Sequence, residues 1–118
     1  MQRDNDLIRL ILLAAEKQNS TRPFSLSAGM FAKALPSLNG DTLDEHIRLL
    51  VEAGLLNAEG HQFGWTILGL TWAGHDFIAN AKNQTIWEKA KQVAGHLSFD
   101  LLTAALKDLA LKSIQGFL

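Results

Sequence analysis

Four histidines, His46, His61, His75 and His96, are the natural candidates for metal ligation or general-base chemistry. No two of them stand at the i, i+4 spacing that turns two imidazoles toward one metal from a helix face. With no cysteine in the chain, thiolate zinc sites, iron–sulfur clusters, disulfides and cysteine nucleophiles are excluded. His75 and Asp76 could pair as a base and its orienting carboxylate, but consecutive helical residues project about 100° apart and do not face one another. The expected role of His75 is that of a half-buried histidine near a hairpin. Gly60, Gly64, Gly69 and Gly74 match neither phosphate-cradling glycine pattern, so turn and packing roles account for them. Trp65, Trp72 and Trp87 could stack on bases, yet tryptophans at a strand, a helix start and a helix interior serve first as core or interface anchors. Of these, Trp72 is expected to anchor the joint between the hairpin and the C-terminal helices. No catalytic set, metal or cofactor is expected, and the chain does not read as an enzyme.

The elements that must position these residues follow from length and pattern. A chain of 118 residues, 47% hydrophobic and 19% charged, suits one globular domain with a single core. The N-terminus carries no secretory signal pattern, and the apolar runs fall short of the roughly 20 residues a membrane-spanning helix needs. A cytoplasmic protein without membrane contact is expected. Net charge is −1, but residues 41–60 hold Asp41, Asp44, Glu45, Glu52 and Glu59 against Arg48 alone, a local net of −4.

Apolar periodicity predicts a first helix over residues 4–18, with Leu7, Leu10, Ile11 and Ala14 on one side and Ile8, Leu12 and Ala15 on the next. Ser20, Thr21, Arg22 and Pro23 break that pattern. Ser27 is placed to cap a short second helix running through Leu35 and ended by Pro36. After the Asn39-Gly40 turn, Thr42 and Glu45 have capping-box spacing for a third helix, which runs to about Ala53 with Leu43, Ile47, Leu50 and Val51 buried. Gly54 stands where a left-handed C-cap is wanted. Residues 55–58 and 63–70 form strands joined by a turn at 59–62. Thr71 caps a fourth helix bearing Ala73, Phe77 and Ala81. Thr85 and Glu88 suggest a capping box for a fifth helix, with Ile86, Ala90 and Val93 on one face and Gly95 at its close. A last helix runs from Ser98 toward Ser113 with the stripe Phe99, Leu102, Leu106 and Leu109, and Leu111, Ile114, Phe117 and Leu118 continue its apolar character. The order predicts a mainly α protein: a winged helix-turn-helix over residues 1–82 and a C-terminal helical extension over 83–118, in one domain.

In such a fold the third helix is the one that would enter a DNA groove. Its exposed positions are Thr42, Asp44, Glu45, Arg48 and Glu52, and the three acidic ones would oppose phosphates. The turn at 59–62 lacks the Lys or Arg that a minor-groove contact uses. Arg22, Lys33, Lys82, Lys89 and Lys91 are the remaining basic candidates.

Two stretches carry a family likeness. One is His46-Ile47-Arg48-Leu49-Leu50-Val51-Glu52-Ala53-Gly54-Leu55-Leu56, and the other is Leu70-Thr71-Trp72-Ala73-Gly74-His75-Asp76-Phe77-Ile78 followed by Trp87-Glu88-Lys89-Ala90-Lys91. Together they resemble a family of small phage, prophage and bacterial proteins catalogued as a domain of unknown function. The resemblance spans nearly the whole chain and implies a winged-helix fold in a phage or prophage setting.

Two functions are expected from different classes. The first is a DNA-binding transcriptional regulator with Lys33, Thr42 and Arg48 near the nucleic acid. The alternative is a winged helix that engages a host or phage protein, as an anti-defence or inhibitor factor would, through Asp44, Glu45 and Glu52. A homodimer is expected through Leu102, Leu106, Leu109 and Ile114 of the last helix, which offers more apolar surface than one small domain hides.

Overall fold

A computed structural model describes residues 3–18, 22–95 and 98–115 of the chain, with side chains described as far as Lys112. It divides into two units, residues 1–75 and 76–118. The division falls inside the fourth expected helix rather than after it.

In the first unit, Asp4 opens helix α1 (Asn5–Gln18). Its Oδ1 accepts the N–H groups of Asp6 and Leu7 at 3.0 and 3.2 Å, satisfying donors that a helix start leaves without partners. Leu7, Ile8, Ile11, Leu12 and Ala15 are buried, as their spacing requires. The expected second helix is a single 3-10 stretch, Ala28–Phe31. It begins after Ser27 as anticipated but does not reach Leu35. Gly29 weakens helix propagation, and Pro36 denies its predecessor the helical backbone region, so the chain passes through turns closed by Leu35 N–H on the Phe31 carbonyl at 2.8 Å.

Helix α2 (Gly40–Glu52) is capped by Asn39, whose side chain accepts the Thr42 N–H at 2.8 Å. The helix therefore starts before the Thr42 that the capping-box spacing pointed to, because asparagine at the preceding turn is as good a cap as threonine. Leu43, Ile47 and Leu50 are buried, while Val51 is only half-buried at the edge of the stripe. At the C-terminus Gly54 adopts φ +77°. Its N–H and that of Leu55 bond back to the carbonyls of Val51 and Leu50 at 3.1 and 3.0 Å. That pair of reversed bonds is the Schellman closure for which the glycine is needed.

Strands β1 (Leu56–His61) and β2 (Gly64–Leu70) pair antiparallel, with His61 opposite Gly64. The turn is thus Gln62-Phe63, later than the 59–62 expected, and Phe63 leaves the strand for the hairpin tip. The register slips between Asn57 and Ala58, where Leu68 has no partner across the ladder, a bulge that sharpens the twist. Trp65 lies over its cross-strand partner Gly60, where a Cβ would sit 3.3 Å from the indole. Phe24 adds a bridge to the outer side of β2, exchanging backbone bonds with Ile67 at 3.1 and 2.7 Å. Helix α1 packs on α2 and β2, and α2 packs on both strands, so Ile67, Leu56 and Leu55 join the buried set.

Helix α3 (Trp72–Ala81) starts in the first unit and continues into the second. Thr71 caps it as expected, its Oγ1 accepting the Gly74 N–H at 3.0 Å while donating to the Gly54 carbonyl at 2.6 Å. Gly74 is fixed by space, since a Cβ there would lie 2.0 Å from the Leu55 carbonyl oxygen. The inward stripe of α3 is Gly74, Phe77, Ile78 and Ala81. Trp72, two residues before that stripe begins and so on the opposite side of the helix, is 83% exposed; it anchors no core. Ala73, one residue before the stripe, is exposed as well.

The second unit is built on the packing of α4 (Gln84–Ala94) against α5 (Phe99–Gln115). Asn83, rather than Thr85, caps α4 by accepting the Ile86 N–H at 3.0 Å, and Gly95 closes it with φ +60°. The buried stripe of α4 is Trp87, Ala90 and Ala94. It is centred on the tryptophan, which leaves Ile86 half-buried and Val93 exposed. Ser98 Oγ caps α5 through the Asp100 N–H at 3.1 Å. Phe77 meets Trp87 edge-on at 6.3 Å between centroids and stacks on Phe99 at 5.3 Å, with Leu102 and Leu106 completing the buried set. His96, Phe117, Leu118 and the break at Ser20-Thr21 lie outside the described residues. Among the described residues no helix is long and apolar enough to cross a membrane.

The two tryptophans should behave oppositely. Trp87→Ala is expected to cost about 3–5 kcal/mol, the range for truncating a buried large aromatic, and Trp72→Ala less than about 1 kcal/mol, both read by urea unfolding. Equal costs would contradict the burial described here. Gly74→Ala should lose about 1–3 kcal/mol as an overpacking change, against near-neutrality for Ala73→Ser on the exposed side of the same turn.

Candidate functional site

The exposed side of α2 and the hairpin tip form the most chemically distinctive surface of the first unit. Helix α2 is set at its C-terminus by the Gly54 closure and at its N-terminal half by His46. That imidazole is fully buried. Its Nδ1 lies 2.8 Å from the Thr42 carbonyl and its Nε2 accepts the Asp4 N–H at 2.8 Å. An acceptor at Nε2 requires the hydrogen on Nδ1, so the ring is the neutral tautomer with both nitrogens satisfied. His46 is therefore a structural bolt between the start of α1 and α2. The signal that could have located it is its spacing, three residues after Leu43 and four before Leu50, which sequence reasoning passed over when it weighed the histidines for metal or base chemistry.

On the outer side of α2, Arg48 is held between two carboxylates. Its Nε and Nη2 donate to the two oxygens of Glu45 at 3.1 and 2.7 Å, and its Nη1 donates to Glu52 at 2.5 Å. The fork geometry of guanidinium suits this bidentate hold. The Arg48 hydrogen bond keeps the Glu45 carboxyl below its ordinary value, and the bonds to Glu45 and Glu52 push the Arg48 guanidinium further up. These groups are 42–60% exposed, so solvent and salt screen them and the network fixes geometry more than it adds stability. Asp44 turns toward the hairpin. Gly64 has φ +130°, and a Cβ there would stand 3.8 Å from both Asp44 carboxylate oxygens.

The expected binding residues are thus partly assembled. Asp44, Glu45, Arg48 and Glu52 share the outer side of α2. Thr42 lies in its first turn, its N–H taken by Asn39, while Lys33 sits exposed in the turns after the 3-10 stretch. The interface residues assigned to the last helix are placed differently from expectation. Leu102 and Leu106 are covered by the chain's own core, Leu109 is half-buried, and the Ile114 side chain lies outside the described residues. A second copy meeting α5 would find Leu101 and Leu111, 53% and 55% exposed, because the helix turns its regular stripe inward.

A cavity of about 340 Å³ opens between α1 and α2, lined by Asp4, Leu35, Pro36, Ser37, Leu38 and Thr42. The Asp4 Oδ1 is already committed to capping. Among the described residues no group of three or more His, Asp or Glu is placed to hold a metal ion. Sequence reasoning also passed over Phe63, now 88% exposed at the hairpin tip. The Gln62-Phe63 pair lacks the Asn-Gly or Asp-Gly signal that would have located the turn.

Residues 2–99 match the model of a protein family described as "Hypothetical protein (DUF2513)". The chain belongs to this family. It is also similar, at 32% identity over 122 residues, to an uncharacterized protein of Haemophilus influenzae, with 100% of this chain and 99% of that protein covered. No solved structure matches it. The family match takes in the α2 network, the hairpin and the Thr71–Gly74 turn, and it stops at Phe99, where α5 begins.

The Glu45 carboxyl offers a direct check of the network. In Arg48→Met its pKa should return toward the ordinary 4.5, read by side-chain carboxyl NMR. A lowered folded-state value means that the Glu45 contribution is present above 4.5 and is lost as pH falls through the folded-state value. The parent should therefore lose that contribution below 4.5, and Arg48→Met should show no such loss.

Proposed function

We propose that this family member is a small, non-enzymatic winged-helix protein of the cytoplasm, in a phage or prophage setting, that acts by engaging a protein partner through α2 and its hairpin. The element order supports the winged-helix reading. A helix, a short 3-10 stretch and a second helix precede a hairpin, and Phe24 supplies the short third strand segment against β2. In that arrangement α2 takes the place of the recognition helix and the hairpin that of the wing.

The observation that carries the partner class is the state of Arg48. It is the only Lys or Arg in α2, and three of its five N–H donors are taken by Glu45 and Glu52. A phosphate approaching its two remaining N–H donors would meet the carboxylates of Glu45 and Glu52 beside them, like charge against like. A protein surface bearing lysines or arginines can instead meet Asp44, Glu45 and Glu52 with Arg48 in place. The element order alone favours DNA, and the chemistry of the exposed side outweighs it.

The two classes separate through charge. Asp44→Asn with Glu45→Gln lies off the buried stripe and should leave the circular dichroism unchanged. The expected outcome is no shift of a mixed-sequence DNA duplex at low salt by parent or variant, with a host-lysate protein retained by the parent and lost by the variant, most clearly at low ionic strength. Tighter duplex binding by the variant, abolished by Arg48→Ala, would establish DNA as the target and overturn the proposal.

A further inference from the structure

The hairpin tip deepens that reading and rests on it. Phe63 is 88% exposed in a two-residue turn, a place where Gly, Asn and Asp satisfy backbone demands that phenylalanine does not. Isolated exposed apolar residues are ordinary, but this one is held in place by its neighbours. The Phe63 N–H donates to His61 Nδ1 at 3.2 Å, and His61 Nε2 bonds Thr66 Oγ1 at 3.1 Å. One pair further down the ladder, the Trp65 ring over Gly60 stiffens the same end of the hairpin. On the α2 side the tip stands against Asp44, whose carboxylate is 3.8 Å from where a Gly64 Cβ would be. Phe63 thus stands exposed in a hydrogen-bonded turn, next to a glycine that faces the Asp44 carboxylate, and adds nothing to the packing inside the chain.

We infer that Phe63 is the anchor of the interface, and that the partner presents an apolar patch rimmed by lysines or arginines, the patch receiving the Phe63 ring and the cations meeting Asp44 and the adjoining acidic side of α2. Charge selects this occupant. Residues 41–60, which precede the tip and include α2, carry a net of −4, which repels nucleic acid and anionic lipid and attracts a basic rim. Exposed aromatics that enter a pocket at the centre of such a rim are where interface energy concentrates, and a turn whose backbone is already hydrogen-bonded has less freedom to lose on binding.

The test uses the full chain and a synthetic helical peptide with a leucine face flanked by lysines, followed by fluorescence anisotropy. Saturable binding is expected, weakened roughly 10- to 100-fold by Phe63→Ser, as for an anchor residue, restored in large part by Phe63→Leu, and weakened at low salt by Asp44→Asn. The same peptide with glutamates for lysines should not bind. Absence of binding by the lysine peptide, equal binding of the glutamate peptide, or Phe63-dependent binding to phosphatidylcholine vesicles instead would each overturn the inference. Lysine-peptide binding that needs Asp44 but is indifferent to Phe63→Ser would refute the anchor while leaving the protein-partner reading standing. Arg48-dependent binding to a DNA duplex in place of the peptide would refute both.

Discussion

The carbonyl group of Leu55 is the point at which three elements of the first unit are tied. It accepts the Thr71 N–H at 3.2 Å, while the Leu55 N–H closes the end of α2 on Leu50. The first turn of α3 comes so near that only glycine fits at position 74. Thr71 completes the tie by using its hydroxyl twice, as donor to the Gly54 carbonyl and as acceptor from the Gly74 N–H. A hydroxyl is the smallest group able to do both at once. The exit of α2, both roots of the hairpin and the entry to α3 are thereby fixed together. The direction in which α2 and the hairpin present their outer sides is a consequence of this joint.

The other end of α2 is held by a different device. His46 spends both ring nitrogens inside the fold, joining the helix to the backbone at the start of α1, where Asp4 is also the cap. A helix held at both ends can carry a surface network without letting it wander. Glu45, Arg48 and Glu52, although solvent-exposed, meet because they stand three and four residues apart on that helix. Under the proposed reading, that arrangement would reduce the side-chain freedom lost on meeting a partner.

Most of the architecture was legible in the sequence because its signals are local. Helical periodicity located the helices, Gly54 and Gly95 marked their ends through positive φ, and Thr71 announced the cap it makes. The errors have three physical origins. Asn39 and Asn83 cap as well as the threonines that follow them, so the capping-box spacing at Thr42 and Thr85 named the wrong residue. Residue type likewise suggested burial for Trp72, whereas the first inward position of α3 is set by the close approach of Gly74 to Leu55, a tertiary constraint that no window of sequence contains. Phe63 was assigned to a strand because phenylalanine favours strands, and only the pairing of His61 with Gly64 puts it at the tip. Within the candidate site, the acidic residues were legible one by one, but the hold on Arg48 depends on rotamers that spacing permits without requiring.

Fold and surface chemistry then give unequal testimony about function. An arrangement of helices and hairpin is compatible with many activities, because a scaffold constrains where side chains stand and not what they recognise. The outer side of α2 is more discriminating. DNA offers one negative charge for about every 1.7 Å of helix axis, so docking there would set Asp44, Glu45 and Glu52 against a dense row of like charge, with Arg48 as the one cation of the helix and already shared between two of those carboxylates. A basic protein surface would reverse those terms, since the carboxylates would gain partners while Arg48 kept the ones it has. That asymmetry of charge is the ground on which a protein partner is proposed rather than DNA.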